Sequence, residues 1–311
     1  MTDYIIRVKN LEKNYGITKA VDGVSFNIER GKLVSILGPN GAGKTTSLEC
    51  MEGILRADGG SIEINGEPLG RSRRGWTDGR VGIQLQSSAL PSNLTVDEAM
   101  RLFCGYRGIP ARTDLLVRFG LHEKLKTQYC NLSTGQKRRL SLALAIIHNP
   151  EILFLDEPTA GLDVQSRLEL HKIIGELKAG GTTVILATHD MAEAESLSDR
   201  IIILLHGRVA AEGSPVEITA TGSSLSRITV QTEKQTIAGL SMQIPEVESF
   251  HHNDDYSVLF SRDIEKTISA LLKTIKREDD RLIDLRIERP SLEERFVEIT
   301  NGSGQIKEVV S

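Results

Sequence analysis

An eight-residue stretch near the N-terminus limits the possible folds of this chain more than any other feature. Residues 38–45 read GPNGAGKT and match the pattern G-x-x-x-x-G-K-[ST] at every position. The pattern requires a strand before it and a helix after it, because backbone N–H groups and the positive helix end must meet at one phosphate. The preceding KLVSILG is a nearly continuous apolar run, and the following KTTSLECMEGIL has helical character. The sequence therefore predicts an α/β core that binds a nucleotide.

Each residue type in this loop has a chemical purpose. Glycines let backbone N–H groups curl around phosphate oxygens without a side chain in the way. We expect Lys44 to reach the β- and γ-phosphates as a mobile positive charge and Thr45 to offer its hydroxyl to Mg²⁺. The predicted nucleotide contacts of the loop are Gly38, Pro39, Asn40, Gly41, Ala42, Gly43, Lys44, Thr45 and Thr46.

Two adjacent carboxylates follow a second apolar run. ILFLDEP places Asp156 and Glu157 at the end of a predicted buried strand, and such strand ends face the ligand crevice of α/β sheets. Successive strand residues point in opposite directions, so the two groups need not share a task. Asp156 suits Mg²⁺, directly or through water, and Glu157 suits a general base for the attacking water. The alternative is a surface acidic pair that merely closes a strand.

Three further side chains are candidates because of where their strands end. Gln86 closes RVGIQLQ and is a candidate ligand for Mg²⁺ or water; Gln84 lies in the same strand but farther from its end. His189 closes TTVILATH, where it can hydrogen-bond a γ-phosphate. Tyr15 precedes the phosphate loop and can stack on an adenine. Each of the three is also a common structural residue at such a position.

Strands and helices alternate along most of the chain, which predicts a mostly parallel sheet covered on both faces. The N-terminal strands YIIRV and VSFNI are expected to be separated by polar turns at NYG and DG. Residues 88–150 are predicted to form a helical insertion. The composition turns to Gly, Ser and Thr near Ala220 to Ser226, so we place a boundary there. The predicted domains are residues 1–220 and a small α+β domain, residues 226–311.

Composition excludes some classes of function. The net charge of −4 gives no electrostatic reason to expect nucleic-acid binding. The longest apolar runs, LALAII and IIILL, are far shorter than the roughly 20 residues of a membrane span. The three cysteines form no C-x-x-C pair, which favours reduced structural thiols.

A second candidate anion site begins the predicted helix after LSTGQKRR, residues 132–139. Ser133 and Gly135 suit a phosphate at a helix N-terminus. A bound nucleotide needs only one phosphate loop, so this stretch would serve another phosphate, supplied elsewhere. The alternative is an ordinary capped helix start.

Together these motifs resemble the ATP-binding-cassette ATPases. In chain order the matching elements are Tyr15 at the adenine-stacking position, GPNGAGKTT as Walker A, Gln86 as the Q-loop, LSTGQ as the signature motif, ILFLDEP as Walker B, AGLD at 160–163 as the D-loop and His189 as the switch histidine. The resemblance covers about residues 4–218. One departure is Thr134, which replaces the first glycine of the usual LSGGQ signature.

The resemblance implies the fold and the chemistry of the family. The expected fold is a P-loop NTPase cassette with a parallel core sheet, an N-terminal antiparallel β subdomain and a helical insertion. ATP and Mg²⁺ are the expected ligands, and Lys44, Glu157 and His189 the expected catalytic residues. Two copies are expected to face each other head to tail, each ATP lying between one Walker A motif and the other chain's signature. The signature contacts are Leu132, Ser133, Gly135 and Gln136, with Asp163 sensing the opposite site.

The C-terminal segment PSLEERFVEITNG resembles the closing motif of daunorubicin-resistance-type exporter ATPases. In that group the cassette works with a separate membrane permease, which implies a place at the cytoplasmic face of the membrane and export of drugs or antibiotics. A role in dimer contacts or regulation is implied for residues 226–311. Export of a lipid, polysaccharide or peptide is the alternative, followed by a soluble cassette acting on ribosomes or DNA.

Overall fold

The computed structural model describes residues 3–69, 80–85, 90–220, 225–237, 244–253, 255–288 and 290–305. The chain divides into two compact units, residues 1–215 and residues 216–311. This division falls a few residues before the boundary expected from composition. Among the described residues, no helix combines the length and the apolar character needed to span a bilayer.

Unit 1 begins with an antiparallel sheet. Its strands are β1 (Tyr4–Tyr15), β2 (Thr18–Glu29), β4 (Gly59–Ile64) and β5 (Glu67–Pro68), in the order β2-β1-β4-β5. The turn expected at NYG is present between β1 and β2, because Tyr15 pairs with Thr18.

The turn expected at Asp22-Gly23 is wrong, because both residues lie inside β2. Leu11 pairs with Val24 and Glu12 with Asp22, so Gly23 is an extra residue in the ladder. Its φ of 74° is the left-handed conformation in which a glycine accommodates a bulge. A bulge and a turn share this dipeptide, and the sequence pattern does not separate them.

A six-stranded sheet forms the centre of unit 1. Its strands are β3 (Leu33–Leu37), β6 (Val81–Gln84), β7 (Ile152–Asp156), β8 (Thr183–Thr188), β9 (Arg200–Leu205) and β10 (Arg208–Gly213). The order is β10-β9-β3-β8-β7-β6, and every neighbouring pair is parallel except β9 and β10. All residues of β3 and β7 are buried, which explains their continuous apolar sequences.

Helices flank this sheet. They are α1 (Lys44–Met51), α2 (Val96–Tyr106), α3 (Thr113–Arg118), α4 (Thr134–Ala145), α5 (Val164–Ala179) and α6 (Met191–Leu197). Leu153 and Leu155 of β7 join one apolar cluster with α2, α4 and α5, whereas Phe154 joins a second cluster with α1 and the antiparallel sheet. The predicted sheet with both faces covered is confirmed.

Unit 2 is a four-stranded antiparallel sheet with helices. Its elements are α7 (Pro215–Ala220), which begins at the boundary, β11 (Ser226–Thr232), β12 (Val247–Asn253), β13 (Tyr256–Ser261), α8 (Ile264–Arg277), β14 (Leu282–Glu288) and α9 (Leu292–Gln305). The order is β12-β13-β11-β14, and α8 buries Leu271 and Ile275 against Ile228 and Leu259 of the sheet. Sequence reasoning missed β12, because VESFHHN does not alternate apolar and polar residues.

Candidate active site

The phosphate loop lies between β3 and α1 and has the backbone shape that its glycines permit. Gly41 and Gly43 adopt φ values of 81° and 98°, which side chains rarely tolerate. A Cβ placed on Gly43 would lie 2.3 Å from the carbonyl oxygen of Ala20. On Gly38 it would lie 2.4 Å from the carbonyl oxygen of Leu204. The loop therefore needs glycine at both positions to fit between neighbouring strands.

Lys44 is buried inside the loop that it follows. Its Nζ donates hydrogen bonds to the carbonyl oxygens of Gly38 at 2.8 Å and Pro39 at 3.2 Å, and it lies 4.0 Å from Oε1 of Glu157. Burial lowers the pKa of Lys44, while the nearby carboxylates oppose this shift. The ammonium group thus lies at the centre of the predicted phosphate site and within reach of the predicted general base.

Asp156 ends β7 beside the first turn of α1. It is 3% exposed, and the side chain of Thr45 lies close enough to oppose the rise of its pKa. Its carboxylate atom Oδ1 has no hydrogen-bond partner among the residues that the structure describes. Burial raises the pKa of Asp156. A buried carboxylate oxygen with spare acceptor capacity next to a threonine hydroxyl fits a hard divalent cation such as Mg²⁺.

Glu157 is held in an unusual backbone conformation directly after β7. Its φ is 47°, and its backbone N–H donates to the carbonyl oxygen of Ala187 at 2.9 Å. Its Oε1 lies 2.8 Å from Nδ1 of His189, which follows the end of β8. Left-handed non-glycine residues are uncommon and cluster at functional sites. The structure therefore brings together the predicted residues Lys44, Glu157 and His189.

A second link joins the same two segments, and sequence reasoning missed it. The hydroxyl of Thr159 donates to Oε1 of Glu193 at 2.8 Å, and Nε2 of His171 lies 3.1 Å from the same oxygen. Glu193 is 1% exposed, so this carboxylate is buried with its partners. The hydrogen bond from Thr159 links the turn after Glu157 to α6, the helix that follows His189. The sequence signal that could have indicated it was Asp190-x-x-Glu193, a helix-start pattern.

The signature residues form a separate group with the D-loop. A Cβ on Gly135 would lie 2.8 Å from Oγ of Ser166, so α4 and α5 approach closely there. Asp163 caps α5 and accepts hydrogen bonds from the backbone N–H and hydroxyl of Ser166 at 2.9 and 2.8 Å. These bonds hold the pKa of Asp163 below its usual value.

The start of α4 is a capping box. The hydroxyl of Ser133 accepts from the backbone N–H of Gln136 at 3.2 Å, and the Gln136 side chain accepts from the backbone N–H of Ser133 at 3.0 Å. Thr134 is the first helical residue and has no positive φ. A β-branched residue is therefore compatible with the place of the usual glycine.

The remaining predicted residues have different outcomes. Tyr15 ends β1 and is 52% exposed, and Nζ of Lys13 lies 5.9 Å from the centre of its ring. Its stacking on an adenine stays a prediction. Gln86 lies outside the described residues, so its predicted contact with Mg²⁺ or water stays a prediction. Gln84, in the same strand, is buried.

An apolar groove opens beside the edge strand β6. Its volume is about 530 Å³, and it lies between β6 and the helices α2 and α4. Phe103 and Tyr106 of α2 are 37% and 88% exposed, and Leu85 is also exposed. Other lining residues are Leu90, Arg107, Leu144 and His148. Exposed aromatic and aliphatic residues around one groove are typical of a protein interaction site.

The phosphate loop lies between a buried strand and a helix, and the carboxylates lie at the end of another strand of the same sheet. This arrangement defines a P-loop nucleotide hydrolase. Within that class, a family model for ABC transporters matches residues 21–160. The chain belongs to the ABC transporter family, and it is the nucleotide-binding subunit that hydrolyses ATP.

Individual relatives extend this match. The daunorubicin resistance ATP-binding protein DrrA3 of Streptomyces coeruleorubidus is 36% identical over 317 residues and covers 99% of both chains. The Nod factor export ATP-binding protein I of Ralstonia nicotianae is 39% identical over 221 residues, covering 69% of this chain and 68% of that protein. A solved ATP-binding cassette, described as dimeric, post-hydrolysis and bound to ADP and phosphate, is 28% identical. It has a TM-score of 0.61 and covers 67% of this chain and 98% of that one.

Proposed function

We propose that this chain drives export of a drug or antibiotic through a separate membrane permease, and that ATP joins two copies of the chain during each cycle. The observation that carries the proposal is the pairing of Glu157 with His189 at 2.8 Å beside the buried Lys44. A carboxylate that is held by a histidine beside the phosphate site suits a general base for hydrolysis better than a residue that only binds nucleotide.

The chemistry follows from the atoms of this site. The carboxylate of Glu157 accepts a proton from a water molecule, whose oxygen attacks the γ-phosphorus of ATP. The bond between that phosphorus and the bridging oxygen breaks, giving ADP and inorganic phosphate. The imidazole of His189 orients Glu157 by donating to Oε1 and is proposed to face the γ-phosphate. Lys44 and the loop N–H groups stabilise the charge on the phosphate oxygens.

Mg²⁺ is the proposed cofactor. Asp156 and Thr45 would hold it, since one oxygen of Asp156 lacks a described partner and Thr45 is already adjacent. When bound, the cation supplies positive charge to the phosphate oxygens. Gln86 remains a proposed further ligand.

A second copy of the chain is proposed to complete each site. Within one chain, Lys44 and Glu157 form one group and the signature and D-loop residues form another. Ser133 begins α4, and backbone N–H groups at a helix start suit an anion. In a head-to-tail pair, the γ-phosphate held by one loop would meet Ser133 and Gly135 of the second copy. The solved relative described as dimeric supports the pairing of two copies. ATP hydrolysis then removes the bridge and favours reopening.

The permease is proposed to dock in the groove beside β6. The groove offers Phe103 and Tyr106 to an apolar helix, and one of its lining residues, Leu85, directly precedes Gln86, the predicted ligand for Mg²⁺ or water. Docking there would place the chain at the cytoplasmic face of the membrane. Residues 226–311 are proposed to serve dimer contacts or regulation.

A drug or antibiotic is proposed as the cargo because of the full-length match to DrrA3, whose name denotes daunorubicin resistance. Export of a lipid, polysaccharide or peptide is the second candidate, and the match to the Nod factor export ATP-binding protein I over 69% of this chain favours a cargo other than a drug. Deletion of the chain in its host, followed by drug-sensitivity screening, separates the two. Drug export predicts hypersensitivity that returns to normal when the gene is restored; unchanged sensitivity to all drugs would contradict it.

Docking is tested with a matched pair of substitutions. Phe103→Glu places a charge in the groove, whereas Leu102→Glu places it on the neighbouring exposed residue, which does not line the groove. We expect the first variant to lose membrane association by at least about tenfold while still binding ATP, and the second to retain it. Equal membrane association of both variants would contradict the proposed site.

A further inference from the structure

Among the residues that the structure describes, strand β14 forms one edge of the unit 2 sheet. It pairs with β11 on one side and is the last strand of the order β12-β13-β11-β14. Two large apolar side chains, Ile283 and Ile287, are 57% and 45% exposed along this strand. An edge strand with exposed apolar residues is a template for pairing with another strand.

The sequence of this edge is complementary to itself. When two copies of LIDLRIE are aligned antiparallel about Leu285, Asp284 of one lies opposite Arg286 of the other. In the same alignment Ile283 lies opposite Ile287. Opposite charges and apolar pairs directly across two strands both stabilise pairing. A contact of this kind is isologous, since each copy presents the same surface to the other.

The charged pair is positioned for such a contact. Asp284 and Arg286 pair with Gln231 and Thr229 of β11, which places both charges on the same face of the sheet. Oδ2 of Asp284 lies 2.8 Å from Nη2 of Arg286. A second copy would bring another such pair against the first, so that each carboxylate faces two guanidinium groups. Charges of alternating sign then form one cluster of four.

The other edge of the sheet lacks these features. Strand β12 has five exposed residues, all of them polar: Glu248, Ser249, His251, His252 and Asn253. Glu248 also forms an ion pair with Arg262 of its own chain. Exposed polar residues on an edge strand discourage pairing. The two edges therefore differ in their exposed side chains: β14 exposes apolar residues that favour pairing, whereas the exposed residues of β12 are all polar.

We propose that β14 pairs antiparallel with β14 of a second copy of this chain, centred on Leu285, and joins two four-stranded sheets into one of eight strands. Strand β14 would thus be the surface for the dimer contacts proposed for unit 2. This pairing rests on the proposed function only in requiring that two copies work together. It does not require ATP, because none of its contacts involves the phosphate loop.

Charge reversal tests the register with the full-length chain in the absence of nucleotide. Asp284→Arg gives a strand with two arginines, and Arg286→Asp gives a strand with two aspartates. Each variant meets like charges in its own homodimer, so self-association measured by sedimentation should weaken at least about tenfold. In an equimolar mixture, the two arginines of one variant lie opposite the two aspartates of the other. Association should return in the mixture, and only pairing between chains predicts that return.

Two results would overturn the proposal. One is a wild-type chain that stays monomeric without nucleotide at concentrations up to about 1 mM. In that case β14 does not pair with a second copy, and its charged residues prevent pairing instead. The other is a mixture that associates no better than either variant. Ser249→Arg on the β12 edge is the control and should leave association unchanged. ATP-driven pairing of the Glu157→Gln chain is measured separately, so failure at β14 and failure of the proposed cassette dimer are distinguishable.

Discussion

Alanine substitutions at Gly41 and Gly43 should separate two reasons for glycine in the phosphate loop, namely a positive φ and the lack of space for a Cβ. Gly41 and Gly43 both have positive φ, at 81° and 98°. An L-residue in such a conformation costs on the order of 1–3 kcal/mol. A Cβ on Gly41 meets nothing within 4 Å, whereas a Cβ on Gly43 would lie 2.3 Å from the carbonyl oxygen of Ala20. Both variants bear the backbone strain, but only one also meets a neighbouring strand.

The size of the difference follows from this contact. Carbon–oxygen contacts normally begin at about 3.3 Å, so the loop or β2 must move by about 1 Å in Gly43→Ala. A shift of that size misaligns backbone N–H groups that would bind phosphate, and each charge-assisted bond is worth about 1.5–3 kcal/mol. Loss of one such bond corresponds to roughly a 10- to 100-fold weaker affinity.

Calorimetric titration with ATP and thermal unfolding of both variants measure these effects. Gly41→Ala should mainly lower the melting temperature, because its strain is present with and without nucleotide. Gly43→Ala should lose affinity as well. Equal ATP affinities for Gly43→Ala and the wild type, with a correctly folded variant, would refute the close approach to Ala20 as the reason for glycine.

Three further substitutions test other parts of the structure. Lys44→Ala should weaken ATP binding at least about tenfold through loss of a charge-assisted phosphate contact, and unchanged titration curves would contradict its place in the site. Burial raises the pKa of Glu52 from 4.5 to about 8. The free energy of unfolding of the wild type should therefore fall by up to about 5 kcal/mol as the pH rises between those values. Urea unfolding of Glu52→Gln should show no such fall, because glutamine does not ionise. Ser133→Arg should abolish ATP-driven dimers without changing ATP affinity of the monomer; light scattering in which ATP still raises the mass would count against the signature contact.

Much of the fold is predictable from the sequence because local signals agree with tertiary structure. The loop at 38–45, the apolar strands and the two helix-start patterns Thr95-x-x-Glu98 and Ser133-x-x-Gln136 are all short-range signals, and the structure contains each of them. The amphipathic spacing from Ile264 to Ile275 likewise corresponds to α8. Such signals depend on residues within one turn or one strand.

Other features depend on contacts between distant segments. Nothing in LDEP predicts the left-handed φ of Glu157, which is enforced by its bonds to Ala187 and His189. The link between Thr159 and Glu193 joins residues 34 positions apart. Local sequence patterns do not encode the approach of such segments.

The mass of the Glu157→Gln chain with ATP and Mg²⁺ tests the central claim most directly, namely that ATP joins two copies whose residues complete each site. Glutamine keeps the size of the side chain and removes the base, so hydrolysis should slow by at least about 100-fold. At a protein concentration low enough for the nucleotide-free chain to be monomeric, light scattering should show a dimer once ATP is added. A monomer that binds ATP fully and hydrolyses it at the wild-type rate would contradict the account.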